Sequence, residues 1–180
     1  METLWLARGA LVVIVALAAI ADARTGKIPN WITLPGIALG FVLHGALEGA
    51  SGLVVSFAAA CACAIVPYVL FHRGAMGGGD VKLLAAAGAL GGMRLGMEVQ
   101  LVTFVLAAIY VMCRVAYHGR LAATLGSTAK VAFATLRRAP EEERAVDPEL
   151  ADTVRLGVPA LVAALFCVLS HDLSFLFAWS

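Results

Sequence analysis

Two aspartates, Asp22 and Asp80, lie at the borders of long apolar stretches of the sequence. Acidic side chains within or beside membrane-spanning helices are costly, and those that occur usually have a function. Two carboxylates that come close together cannot both ionise cheaply, so they share a proton. Such a pair can take a proton from a water molecule and give one to a leaving group. The residue types therefore point to acid–base hydrolysis, provided that the fold brings the two side chains together.

Asp80 belongs to a glycine-rich segment with the sequence Gly77-Gly78-Gly79-Asp80-Val81-Lys82. Glycine has no Cβ, so it lets the backbone take positive φ and lets another chain approach closely. Backbone N–H groups just before a helix can also stabilise a carboxylate. A simpler interpretation is that Asp80 is only the N-cap of the following helix, although a cap alone does not require three consecutive glycines.

Asp22 is followed, after five residues, by the segment Ile28-Pro29-Asn30. Proline disfavours helix at the residue before it, and asparagine is a good helix cap. We therefore predict a tight turn after Asp22 and a new helix that begins near Trp31. The simpler alternative is that Asp22 only marks the water boundary of the first helix.

The composition indicates a membrane protein. Of the 180 residues, 62% are hydrophobic and 14% are charged, whereas soluble domains carry about 25% charged residues. A membrane-spanning helix needs roughly 20 mostly apolar residues. Five apolar stretches reach or approach this length, 4–21, 32–47, 53–71, 99–117 and 156–179, and a sixth, 81–93, is shorter and rich in glycine. The sequence therefore predicts an all-α, polytopic membrane protein of about six transmembrane helices, which forms a single membrane-embedded domain over residues 1–180.

The basic residues are distributed unevenly between the predicted connections. With the N-terminus outside, the inner segments hold eleven of the 13 lysines and arginines, and only Arg8 and Arg94 lie outside. Positive charge favours the cytoplasmic side of the inner (cytoplasmic) membrane, so both termini are predicted to lie outside the cytoplasm. The polar segment 118–153 is then a cytoplasmic loop on the anionic leaflet. The net charge of +1 gives no indication of a nucleic-acid partner.

The predicted spans also locate the two aspartates relative to each other. Two helices, an even number of crossings, separate Asp22 from Asp80. Both carboxylates therefore lie on the same side of the membrane whichever way the chain is inserted, and the charge bias makes that side cytoplasmic.

Together these segments resemble the type IV prepilin peptidases, which are membrane aspartyl proteases of the GxGD type. The resemblance extends over about residues 19–92, and the number of predicted spans beyond it is compatible. It implies that Asp22 and Asp80 are the catalytic pair. The residues that it implies as shaping the site are Gly77, Gly79, Lys82, Pro29 and Asn30.

The resemblance also implies an activity and a partner. The enzyme would be an endopeptidase that cleaves the leader peptide of prepilin- or pseudopilin-like substrates, in type IV or Flp pilus assembly or protein secretion. Long members of the family carry a cytoplasmic insertion with two Cys-x-x-Cys pairs and are associated with N-methylation. This chain lacks both pairs, so it resembles the short Flp/Tad-type prepilin peptidases and the archaeal preflagellin peptidases, and methyltransferase activity is not expected.

The expected substrate is a single-pass prepilin with a short basic leader and a glycine before the scissile bond. Its apolar helix would pack in the bilayer beside the peptidase. Small residues favour close contact between helices, so the pairs Gly36-x-x-x-Gly40 and Gly88-x-x-x-Gly92 are predicted to offer surfaces for it.

No metal and no cofactor are predicted. The histidines lie scattered near span ends and lack the His-Glu-x-x-His pattern of zinc proteases; only His72 falls beside Asp80. The four cysteines lie inside apolar runs, without the spacing and polar surroundings of zinc ligands, and are interpreted as small apolar residues.

Two alternatives to a peptidase stay open from the residues alone. A small ion- or proton-coupled membrane transporter would use Asp22 and Asp80 to bind cations or relay protons, although its carboxylates would be expected near the membrane midplane. A catalytically inactive pilus-assembly membrane protein would keep the fold and both aspartates without cleaving a substrate.

Overall fold

The structure, a computed structural model, describes residues 2–117 and 156–177. These residues form four helices, α1 (Glu2–Thr25), α2 (Asn30–His72), α3 (Gly78–Tyr117) and α4 (Gly157–Phe177). No strand occurs within the described residues, and the prediction of an all-α protein is confirmed. The predicted cytoplasmic loop at 118–153 lies outside the described residues.

Three of the described helices are long and apolar enough to cross a membrane. The apolar parts are Trp5–Thr25 of α1, the whole of α2 and Gly78–Cys113 of α3. α4 contributes a shorter apolar stretch, Gly157–Ser170. The chain is thus a membrane protein, whereas the predicted number of about six spans is not confirmed and stays a prediction.

α2 reverses its direction at Gly49, whose backbone has φ 69° and ψ −155°. The ring centroids of Phe41 and Phe57, on either side of this glycine, are 5.8 Å apart. In a continuous helix the same two residues would be separated by about 24 Å. α2 is therefore a helical hairpin with arms over residues 30–48 and 50–72.

α3 reverses in the same way at Gly92, which has φ 71° and ψ −176°. Gly88 and Gly96 lie against each other, because a Cβ on Gly96 would be 2.7 Å from the Cα of Gly88. Eight residues of straight helix would span about 12 Å. The first arm of this second hairpin covers residues 78–91, and the second arm begins at residue 93.

The first arm of α3 packs against both arms of α2. The Ser56 hydroxyl, on the second arm of α2, donates to the carbonyl oxygen of Ala89 over 2.7 Å. On the first arm of α2, Gly40 faces the same alanine, since a Cβ there would be 2.6 Å from its carbonyl carbon. The end of α1 and the starts of α2, α3 and α4 lie together, away from the two reversals. We call this the aspartate end, because it carries Asp22 and Asp80.

The chain divides into two compact units. The first comprises Met1–Phe104 and Arg155–Ser180, and the second comprises Val105–Val154. Residues 105–117, the described part of the second unit, are helical. Both aspartates and the contacts described for them belong to the first unit. The single domain predicted over residues 1–180 stays a prediction.

The interior of the first unit is built from small side chains, and many large apolar side chains face outward. Buried alanines include Ala18, Ala59, Ala86, Ala89, Ala163 and Ala164. Large apolar residues that are more than 60% exposed include Trp31, Val42, Ile65, Leu101 and Phe166. Lipid tails are as apolar as leucine, so helices in a bilayer associate through small residues that allow close packing. This distribution is typical of a membrane protein.

Gly36, Gly40 and Gly88 serve this close packing within the chain. A Cβ on Gly36 would lie 2.9 Å from the side chain of Ile14, and one on Gly88 would lie 2.5 Å from a carbonyl oxygen of α2. The prediction that the pairs Gly36/Gly40 and Gly88/Gly92 offer surfaces to a substrate helix is therefore wrong. Three of the four glycines are covered by the protein's own helices, and the fourth, Gly92, forms a reversal.

Replacing Gly49 or Gly92 with alanine is expected to lower the stability of the fold. Both glycines have backbone angles that are essentially reserved for glycine, and another residue there costs about 1–3 kcal/mol. Gly9→Ala is the matched control, because a Cβ on Gly9 meets nothing within 4 Å and alanine favours helix. The measurement is the melting temperature in detergent. A Gly49→Ala protein that melts at the same temperature as the Gly9→Ala protein would contradict this expectation.

Candidate active site

α1 ends in a turn that leaves Asp22 inside the protein. The N–H of Gly26 donates to the carbonyl oxygen of Asp22 over 2.8 Å, and Gly26 has φ 67°. A glycine with left-handed backbone angles is a common way to end a helix. The Thr25 hydroxyl also donates to the carbonyl oxygen of Ala21, at 2.9 Å. Asp22 thus lies one turn before the helix ends, with its side chain only 4% exposed.

α2 begins at Asn30, and Pro29 occupies the capping position in an extended conformation, with φ −77° and ψ 145°. No side-chain cap hydrogen bond is present at this helix start. The predicted helix start near Trp31 is confirmed, whereas the prediction that Asn30 caps this helix is wrong. The fixed φ of proline suits the extended capping conformation, and the Asn30 side chain has another partner, described below.

Asp80 lies in the first turn of α3, three residues after Gly77. The carbonyl oxygen of Gly77 accepts N–H groups from Asp80 at 3.2 Å and from Val81 at 3.4 Å. In return, the N–H of Gly77 donates to the Asp80 carboxylate, as an acidic residue at the third helical position does in a capping box. Asp80 is therefore not itself the N-cap residue, but its side chain caps the start of α3.

Gly79 lets the two aspartate segments touch. A Cβ on Gly79 would lie 2.9 Å from the carbonyl oxygen of Ile28 and 3.0 Å from its Cβ. Such distances are too short for any residue other than glycine without a shift of the backbone. A second link joins the same two segments, because Lys82 Nζ donates to Asn30 Oδ1 over 2.7 Å. The segment that follows Asp22 and the segment that contains Asp80 are thus joined by two contacts.

The carboxylates of Asp22 and Asp80 lie close enough for their charges to interact. Asp22 is buried and Asp80 is partly buried. Two like charges repel strongly where little water screens them, which favours a pair that holds one proton. Such a pair can supply both a proton donor and a proton acceptor.

Gly157, the first residue of α4, belongs to this site and was not predicted. Its N–H donates to Asp22 Oδ2 over 3.0 Å. The two residues are 135 positions apart in the sequence, and the donor is a backbone group. Neither the residue type nor the sequence spacing predicts such a contact.

The structure also locates the other candidate residues. The ring of His72 packs against those of Tyr68 and Phe71, with centroids 4.5 Å and 5.9 Å away. In the part of the chain that the structure describes, no group of three or more His, Cys, Asp or Glu residues could hold a metal ion. A cavity of about 220 Å³ lies near the two reversals, lined by residues that include Arg8, His44, Glu48 and Arg94. None of the predicted site residues lines it.

Comparison with known proteins gives one match. A family model described as the type IV leader peptidase family matches residues 9–112. This range contains both aspartates and the segments around them, and it ends before α4. No curated protein and no solved structure matches the chain.

Proposed function

The chain belongs to the type IV leader peptidase family, as its motifs indicated, and from that premise we propose that it is a membrane aspartic endopeptidase. Its substrates are prepilin- or pseudopilin-like proteins, from which it removes the N-terminal leader peptide. Asp22 and Asp80 are the catalytic pair. The observation that supports this proposal most strongly is the proximity of the two carboxylates, which interact through their charges although 57 residues separate them.

In the proposed reaction, one carboxylate is ionised and the other is protonated. The ionised carboxylate takes a proton from a water molecule as the water oxygen attacks the scissile carbonyl carbon. The protonated carboxylate donates a hydrogen bond to the carbonyl oxygen. When the C–N bond breaks, the amine leaves with a proton from the pair. No metal or cofactor takes part in any step.

The residues around the pair hold it in place. Gly77 contributes the N–H that binds Asp80, and Gly79 allows the contact with the Ile28 carbonyl. Pro29 sets the extended conformation before α2. Asn30 and Lys82 join the starts of α2 and α3, so Lys82 helps to shape the site and does not take part in the proton transfers. Precise placement of reacting groups matters, because small displacements cost large factors in rate.

The proposed topology has six spans in the cytoplasmic membrane. The reversals at Gly49 and Gly92 support this number, since each divides one long helix into two arms. The aspartate end carries Arg24, Lys27, Arg73 and Lys82, whereas Arg8 and Arg94 lie near the reversals. Positive charge favours the cytoplasmic side. We therefore assign the aspartate end to the cytoplasmic face and both termini to the opposite face.

A cleavage assay in reconstituted liposomes tests the proposed function. The protein is incubated with a prepilin-like protein from the same genome, and mass spectrometry identifies the products. We expect a single cut between the basic leader and the apolar helix, and no cut when the glycine before the scissile bond is replaced by a bulky residue. An intact substrate after incubation with each prepilin-like protein of that genome would overturn the proposal.

Chelators are expected to leave the cleavage rate unchanged. The proposed pair moves protons between carboxylates and water and needs no Lewis acid, and the described residues offer no set of metal ligands. The measurement compares initial rates with and without EDTA in the same liposomes. Loss of activity with EDTA, followed by recovery on addition of zinc, would contradict the proposed mechanism.

A further inference from the structure

We propose that Gly157 is a positioning residue of the active site, which fixes the Asp22 carboxylate through its backbone N–H. This inference rests on the proposed function. It adds to the site the start of α4, which lies beyond the family match at residues 9–112. The site would then include residues from all four described helices and not only the two aspartate segments.

The N–H of Gly157 is available because of its place in α4. The carbonyl oxygen of Leu156 accepts the N–H of Ala160 over 2.9 Å, so Leu156 is the capping residue and Gly157 is the first residue of the helix. The first N–H groups of a helix have no partner within it. For Gly157 that partner is Asp22 Oδ2, at 3.0 Å in a buried setting.

The contact leaves no room for a side chain at position 157. A Cβ on Gly157 would lie 2.9 Å from Ala19 Cα, 2.9 Å from Asp22 Cβ and 2.9 Å from Asp22 Oδ2. Gly157 itself is buried. Glycine at this position therefore allows the start of α4 to touch both the backbone of α1 and the carboxylate.

The hydrogen bond has two effects on Asp22. It limits rotation of the carboxylate, so that Oδ1 keeps one orientation toward the reacting groups. It also places the carboxylate at the N-terminus of a helix of 21 residues, where the helix dipole favours negative charge. Both effects act on catalysis through Asp22, so we expect them in kcat and not in substrate binding.

The sharpest test removes the donor without adding a side chain. Glycolic acid in place of Gly157, introduced by cell-free translation into liposomes, replaces the N–H with an ester oxygen and adds no side chain. The N–H makes no hydrogen bond within α4, but the Leu156 carbonyl, which accepts the N–H of Ala160, becomes an ester carbonyl and a weaker acceptor. The melting temperature reports this effect on the helix. A hydrogen bond to a charged group corresponds to about a 10- to 100-fold effect, and we expect kcat to fall by this factor with KM unchanged.

Gly157→Ala is a second, genetically simple test, with Gly9→Ala on α1 as its control. We expect a fall in kcat for the first and the wild-type rate for the second. An ester variant with the wild-type kcat would overturn the inference, and so would one whose loss lies in KM alone. If the ester variant is fully active while Asp22→Asn is inactive, the proposed function stands without Gly157. If Asp22→Asn is active, the proposed function itself fails.

Discussion

Asp22→Asn and Asp80→Asn are each expected to reduce leader cleavage by at least about 10²–10⁴-fold, the usual contribution of a positioned acid or base. An amide can neither accept the proton of the attacking water nor hold the shared proton. The fold should tolerate both changes. The amide oxygen of asparagine can still accept the N–H of Gly157 at position 22 or that of Gly77 at position 80, and removal of one charge relieves the repulsion between the pair.

Glu48→Gln is the matched control for the two aspartate variants. It also neutralises one carboxylate, but Glu48 lies near the reversal of α2, where it accepts a hydrogen bond from His44 at 3.3 Å. The measurement is the initial cleavage rate in liposomes, normalised to the amount of inserted protein. The control should cleave at the wild-type rate. Substantial cleavage by the Asp22→Asn or the Asp80→Asn protein would remove that residue from the catalytic pair.

Gly79→Ala is expected to have the next largest effect, a loss of about 100-fold in kcat/KM, as for a displacement of reacting groups by roughly 1 Å. The added Cβ would lie 2.9 Å from the carbonyl oxygen of Ile28. Because that neighbour is backbone, it cannot move aside as the end of a flexible side chain could. The start of α3 would shift away from the Ile28 segment, and Asp80 would move with it relative to Asp22.

A graded series makes the Gly79 test specific. Gly79→Val should lose more activity than Gly79→Ala, because its branched side chain needs still more space. Gly9→Ala, with an open position on α1, should keep the wild-type rate. Melting temperatures in detergent separate a local shift from unfolding. A Gly79→Ala protein that melts and cleaves like the wild type would contradict the importance of this close approach.

The two aspartates and their common end of the fold could be predicted because simple rules apply to them. An acidic residue beside an apolar stretch is easy to recognise in a sequence. Counting the predicted spans between Asp22 and Asp80 gives an even number, which puts both residues on the same side. The glycines before Asp80 predicted a close backbone approach, and Gly79 makes one with Ile28. For a productive pair we predict that the two carboxylates lie about 3–7 Å apart.

Other features depend on contacts between residues that are far apart in the sequence, which local sequence patterns do not predict. The pairs of small residues at Gly36/Gly40 and at Gly88 predicted close helix packing, but not that the partner would be the chain's own helices. The Asn30 side chain was interpreted as a helix cap, whereas its amide oxygen accepts a hydrogen bond from Lys82, 52 residues away. Gly157 contributes a backbone donor, which every residue except proline carries, so its residue type gives no indication of its contact with Asp22.

The reversals at Gly49 and Gly92 bear on how the protein can enter a membrane during synthesis. Each reversal takes a single residue, so two arms can insert as one hairpin, and in the proposed topology no long polar connection between them has to be translocated. Charged side chains near the reversals have polar partners within the same arm. Arg94 pairs with Glu98 at 3.2 Å, and His44 hydrogen-bonds Glu48. Unpaired charges are costly to carry through the hydrocarbon core. In the proposed topology, little more than a helical turn of each hairpin would therefore have to cross the bilayer.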